Sequence, residues 1–238
     1  MSTITATQQT AIAEYLNGRH LGSGIGTAEE PCSIAAINLA LSGRLTDDIP
    51  DCMSPAVGRW IIRIQDAMPD DLRNSERWRS LLPLAAETGR NHEAERAAAL
   101  LDWLWGAVLP RLQPLADANG FGAAWTAMHQ SRTAAAAREA AREATRGAVA
   151  RATEVAAWVG RILAVETADA AARAEAEATA WAGAAGATKE TAETTAWAAR
   201  AVEAARTTAR ATKASSDYWT AVDPCAMLDQ LINIGTES

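Results

Sequence analysis

The chain has 238 residues, a net charge of −7 and 49% hydrophobic residues, with nine Trp against two Tyr and one Phe. That length allows one or two domains with a sizeable core, and that composition excludes a disordered chain. A mildly acidic chain lacks the dense cationic surface that sequence-nonspecific nucleic-acid binding needs, so nucleic acid is not an expected partner.

Three cysteines, Cys32, Cys52 and Cys225, are too few and too widely spaced for a disulfide framework and point to a reducing cytoplasm. No apolar run approaches the roughly 18 residues of a membrane span. The opening Met1-Ser2-Thr3-Ile4-Thr5 has no basic region followed by an apolar stretch, so no signal peptide is expected.

Residues 3–18 read as a short helix with Ile4, Ile12, Tyr15 and Leu16 near one stripe, ended by Asn17-Gly18. Gly22, Gly24 and Gly26 come next, without a preceding strand or the dinucleotide-binding spacing, and read as a flexible linker. Cys32-Ser33 opens a helix over 34–42, closed by Gly43. After a loop over 45–51, Ser54 caps and Pro55 begins a helix whose apolar face is Val57, Trp60, Ile61 and Ile64. Met68-Pro69-Asp70-Asp71 breaks it. A helix over 74–87 carries the stripe Trp78, Leu81, Leu82 and Leu84-Ala85; a turn over 88–91 leads to a helix over 92–109 with Leu100, Leu101, Leu104 and Val108. Pro110 and Pro114 interrupt the helical pattern beyond it, and Asn119-Gly120 turns the chain. Trp103 and Trp105 cannot both face one way on a helix, so one should be buried and the other at a surface or interface.

Residues 131–214 are about two-fifths Ala, interspersed with Arg, Glu and Thr, and read as long helix. Gly183 and Gly186 mark the expected turn, with a second near Glu166-Thr167; Trp158, Trp181 and Trp197 are the large apolar groups expected to fill gaps between Ala-lined helices. Asp223-Pro224 starts a last helix with Met227, Leu228, Leu231 and Ile232 on one stripe. The expected fold is therefore all-α, a compact N-terminal helical domain followed by long Ala-rich helices in hairpins or a bundle. The expected divisions are 1–30 (helix and Gly-rich linker), 31–130 (compact domain), 131–214 (Ala-rich arm) and 215–238 (C-terminal helix).

Polar residues concentrate over 44–79. Arg59, Arg63 and Asp66 fall at i, i+4 and i+7 on one helix, where two guanidinium groups can fork around an anion. With Arg77, Arg79 and Trp60 they form the candidate site for a small anionic ligand; the competing reading is that these arginines pair with Asp47, Asp48 or Asp66 to fasten loops. His20, His92 and His129 are isolated, with no Cys-x-x-Cys or His-x-x-x-His pair, so no metal and no cofactor is expected. Cys32 at a helix start is read as a small core residue rather than a nucleophile.

Cys32-Ser33-Ile34-Ala35-Ala36, the run from Asp47 to Pro55, Arg59-Trp60, the run from Gln65 to Pro69 and Leu81-Leu82-Pro83 together resemble a segment of uncharacterised helical proteins of bacteria and their phages. The likeness spans 32–84 and extends toward Asp102-Trp103-Leu104. It implies a bacterial or phage origin, hence bacterial or host cytoplasm, and no known activity.

The leading expectation is a non-enzymatic binding or assembly protein, a homo-oligomer built through Ala-rich helices. One alternative is a phage-type sponge that sequesters a small anionic, nucleotide-derived signal. Another is a metal-dependent enzyme using Asp47, Asp48, Asp51 and Asp66, which requires three of those carboxylates to meet at one open point.

Overall fold

In the computed structural model the described residues are 4–155, 216–236 and the single positions 176, 179, 180, 186, 189, 192, 193, 196 and 199; the side chains of 147–155 and 216–217 are outside the description. These residues build an all-α fold. The extended pairing among them is one isolated bridge, Gly26 with Pro31. No helix among them is long and apolar enough to cross a membrane.

The chain forms two compact units: residues 1–96 with 223–238, and residues 97–222. These boundaries differ from the four sequence divisions, because the C-terminal helix packs with the N-terminal residues rather than standing alone.

The first unit begins with Ala6–Leu16 (α1). Thr5 caps it in a reciprocal box: its hydroxyl accepts from Gln8 N and its own N–H donates to Gln8 Oε1. Ser33–Ser42 (α2) is capped by the Cys32 sulfur, which accepts from Ala35 N at 3.3 Å, and ends at Gly43 in the left-handed conformation. Pro55–Ala67 (α3) starts as its sequence specifies, with Ser54 Oγ accepting from Val57 N. A single turn, Asp70–Arg73 (α4), occupies the expected break, and Glu76–Ala85 (α5) comes next with Ser75 as its cap. Of the apolar stripe expected on this helix, Leu84 is left exposed. The core is Ile12, Leu16, Ile34, Ile37, Ile61 and Leu82 around Trp60 and Trp78, whose rings lie 6.1 Å apart at 48°.

Buried polar groups tie this core together. Ser33 N donates to Gln65 Oε1 at 2.7 Å, and Trp78 Nε1 donates to Ser33 Oγ at 3.0 Å. Buried Arg73 donates to the carbonyls of Leu21, Gln65 and Met68 and to Asp70.

The Gly-rich segment is not a linker. Gly24 N donates to Asp66 Oδ1, Gly22 N to Pro31 O and Cys32 N to Ile25 O, so the segment folds back on itself and onto α3. Gly26 has φ +72°, and a Cβ there would lie 2.1 Å from Glu30 O, so only glycine fits.

Pro224–Asn233 (α12) completes the first unit and packs on α5 and α3. Its buried face is Pro224, Cys225, Met227, Leu228, Leu231 and Ile232. An arginine holds each end. Arg77 grips both oxygens of its cap residue Asp223 at 2.8 and 3.0 Å; buried Arg96 donates to Leu231 O and Ile234 O, both at 3.0 Å.

Glu93–Trp103 (α6) contributes its first residues, through Arg96, to the first unit and the remainder to the second. The expected uninterrupted helix over 92–109 instead passes through a π-helical turn, Leu104–Val108, before Leu109–Arg111 (α7). Pro110 has no N–H for Gly106 O and its ring crowds that carbonyl, so the pattern slips to i+5, with Leu109 N donating to Leu104 O. Trp105 is buried in this turn, whereas half-buried Trp103 donates to Val222 O at 3.3 Å, the expected split between the two indoles.

Gln113–Ala118 (α8), Gly122–Ser131 (α9), Ala134–Val155 (α10) and Ser216–Val222 (α11) make up the rest of the second unit. Its core joins Trp125, Met128, Leu109 and Val222 to Ala137, Ala140, Ala141, Ala144 and Ala199. Gly186 has φ +69° and lies in a turn, as expected. Trp158, Trp181, Trp197, Gly183 and the expected turn near Glu166-Thr167 lie outside the described residues.

Candidate functional site

One open cavity of the first unit is a valley between α1 and α5 with a volume of about 860 Å³. Both helices turn their apolar stripes inward: Ile12 and Leu16 from α1, Trp78 and Leu82 from α5. What remains between them is mixed in character. Ala13 is exposed in it above the buried Leu16 and Pro83, Gln9, Thr10, Asn17 and Ser80 line it with neutral polar groups, and Glu14, Glu76 and Arg79 supply charge.

Arg79 is half-buried. Its Nη2 donates to Asn74 Oδ1 at 3.2 Å, while its Nε is buried without a hydrogen-bond partner. A guanidinium has five N–H donors, and among the described residues one hydrogen bond from Arg79 is made, to Asn74. Glu76 lies one helical turn before Arg79, yet forms no ion pair with it among the described residues; the same is true of Glu14. Asn74 is held by Leu21, whose N–H donates to its Oδ1 at 2.7 Å, which fixes one end of the Arg79 contact.

The sequence placed Arg59, Arg63, Arg77, Arg79, Trp60 and Asp66 in one site. Of the four arginines, only Arg79 lines the valley. Arg77 stands two residues away on the same helix and is committed to Asp223, which raises its pKa further. Arg59 and Arg63 are half-buried on α3, and Arg59 Nε has no hydrogen-bond partner. Trp60 is 1% exposed, so its ring is core rather than a stacking platform. Asp66 does fasten a loop, but through Gly24 N.

The acidic residues do not converge either. Asp51 pairs with Arg90 at 2.9 Å, Asp48 accepts from Thr46 Oγ1 and Asp66 serves the Gly-rich loop. Among the described residues no group of three or more His, Cys, Asp or Glu side chains is placed to hold a metal ion. The convergence that a carboxylate-based metal enzyme needs is therefore missing from those four aspartates.

His20 contacts Asp70 through Nε2 at 3.0 Å and Glu30 through Nδ1 at 3.9 Å. The His20 hydrogen bond, then the one from Arg73, holds the Asp70 carboxyl below its ordinary pKa. All three cysteines are buried, and burial pushes each thiol above its ordinary pKa, the opposite of what a nucleophile needs.

Glu14 and Glu76 were invisible as site residues because the valley exists only once α1 docks on α5. Arg96 had a usable signal: it lies on the apolar side of its helix, next to Ala97 and one turn before Leu100. No family model, no curated protein and no solved structure matches this chain.

Proposed function

We propose that this is a non-enzymatic binding or assembly protein that acts as a homo-oligomer built through its Ala-rich helices. The observation that supports this is how α10 divides its faces. Ala137, Ala140, Ala141 and Ala144 are at most 1% exposed and pack in the cluster of Trp125 and Met128. On the other side Arg142 pairs with Glu139 and Arg146 with Glu143. An Ala face admits a neighbouring helix closely but buries little area per residue, so several such contacts must add up to a stable assembly. The same composition continues to residue 214, so the chain carries more Ala than this one cluster uses. Closed cyclic symmetry is the usual outcome when identical chains meet this way. The three unpaired cysteines agree with a reducing, cytoplasmic setting.

Sedimentation or light scattering of the full chain at micromolar concentration tests this. A mass that is a multiple of 25.1 kDa is expected. A clean monomer refutes the assembly reading.

A further inference from the structure

We propose that the Asn17-Gly18 turn is a self-modification site, where water converts the Asn17 amide to a carboxylate through a cyclic imide formed with its own backbone. The proposal does not depend on the assembly reading, since every reacting group belongs to the turn that ends α1.

The chain carries two Asn-Gly pairs, Asn17-Gly18 and Asn119-Gly120. In such a pair the glycine nitrogen can attack the asparagine Cγ, because glycine has no Cβ to crowd the approach. A bond forms between Gly18 N and Asn17 Cγ. The bond from Cγ to Nδ2 breaks, and that nitrogen leaves as ammonia with the proton that Gly18 N gives up. Water then adds to either carbonyl of the imide and opens it. One opening gives aspartate, and the other gives isoaspartate, with the chain running through the side-chain carbon. Nothing is oxidised or reduced.

The fold decides which pair is free to react. At Asn17 ψ is 119°, which points Gly18 N away from the side chain, so the peptide plane between the two residues must first swing round. Opposite rotations about ψ of Asn17 and φ of Gly18 turn that plane and leave the flanking chain in place. Among the described residues the Asn17 carbonyl, the Gly18 N–H and the Asn17 side-chain amide make no hydrogen bond, so the swing breaks none. A Cβ on Gly18 would meet nothing within 4 Å, and glycine accepts whatever φ results. Both residues are exposed, so water solvates the negative charge that develops on Asn17 Oδ1 during attack.

Asn119 is held instead. Its Nδ2, the nitrogen that would leave, donates to Leu115 O at 2.8 Å, and Gly120 N donates to Asp117 O at 3.4 Å. Its Oδ1 is buried without a hydrogen-bond partner, so charge developing there is neither solvated nor paired. The product at residue 17 acts on α1: a carboxylate there stands at the negative end of the helix dipole, one turn after Glu14, and both repel it. The reaction therefore loosens the last turn of α1.

The test incubates the full native chain at pH 8 in heavy-oxygen water and follows both pairs by peptide mass spectrometry. Asn17 should become a mixture of heavy-oxygen-labelled aspartate and isoaspartate, about tenfold or more faster than Asn119, since a hydrogen bond that must break before ring closure slows it by about that factor. In denaturant the two pairs should react at similar rates, because the fold alone separates them. N17Q should remove the fast product. N17D, which copies the charge, should quicken amide exchange over residues 13–17 about two- to fivefold, the size of a helix-end charge effect. The proposal is overturned if native Asn17 remains an amide while the denatured chain reacts, if neither pair reacts in either state, or if Asn17 and Asn119 react alike in the native chain. Unchanged exchange in N17D overturns the loosening of α1.

Discussion

Replacing Arg96 with Met should release the C-terminal helix while leaving the apolar stem of the side chain in place. Arg96 is 2% exposed, and its guanidinium donates to Leu231 O and Ile234 O at the end of α12 and to Asn91 O before α6. Hydrogen bonds to a charged group contribute about 1.5–3 kcal/mol each, so the two bonds to α12 hold about 3–6 kcal/mol. Against this stands the cost of burying the guanidinium, which pulls its pKa down and is only partly offset by Glu93 and Glu95. The net loss for R96M should be about 3 kcal/mol. Amide hydrogen exchange is the direct assay, because it reads the opening of α12 separately from the rest. Exchange over Pro224–Asn233 should quicken about a hundredfold, since about 1.4 kcal/mol corresponds to tenfold. Exchange in α2 should change far less. Arg96→Lys retains the charge but loses the fork, and should recover only part of the protection. A loss below about 1 kcal/mol would show that the apolar face of Met227, Leu228, Leu231 and Ile232 holds the helix unaided, and the clasp argument would fail.

Three further outcomes rest on contacts of the same kind. Burial raises all three thiols, so a maleimide at pH 7.5 should leave Cys32, Cys52 and Cys225 unmodified in the native chain and label all three in denaturant; rapid native labelling of any one contradicts its placement. The folded pKa of Asp70 is depressed, so its stabilisation is present above the ordinary carboxylate value near 3.9 and is lost as pH falls through the lower folded value. Asp70→Asn should therefore flatten the acid limb of a stability–pH curve, and an unchanged limb would rule the contact out as its source. At Gly58 a Cβ would lie 2.6 Å from Ile49 Cγ2, so G58A should cost about 1 kcal/mol or more by overpacking despite the better helix propensity of Ala. Adding I49A should return part of that loss in a melting experiment, and no rescue would mean that the cost comes from elsewhere.

Local chemistry in the sequence located the helices well. Ser54-Pro55 and Asp223-Pro224 each mark a helix start with a capping side chain and a proline that needs no N–H, and both caps form, Ser54 on Val57 N and Asp223 on Ala226 N. Gly43 closes α2 for an equally local reason. The π-helical turn was half legible: Pro110 announced an interruption, but where the ladder would slip depended on packing around Trp105. The site was hardest to see. Arg59, Arg63, Arg77 and Arg79 look alike in sequence, and what separates them is tertiary. Arg77 meets Asp223, 146 positions along the chain, and Arg79 opens onto a valley whose other wall is α1. Counting arginines cannot tell one committed to an ion pair from one that lines a cavity when the deciding partner is so distant.

The path of the chain constrains how the division of labour between its parts can be probed. The first unit takes its last helix from beyond residue 222, so the second unit, 97–222, is an insertion within it. Cutting the chain after about residue 130 to remove the Ala-rich arm would also remove α12 and strip Arg96, Arg77 and the apolar groove between α3 and α5 of their partner. A truncated piece that misfolds or aggregates would then report the loss of α12, whatever the arm does. Shortening the arm internally avoids this. The clasp on α12 is made by Arg77 and Arg96, both outside the insertion, so a change within the insertion removes neither contact. An internal deletion that lowers the particle mass while α12 keeps its exchange protection supports the proposed assembly through the arm, and an unchanged mass counts against it.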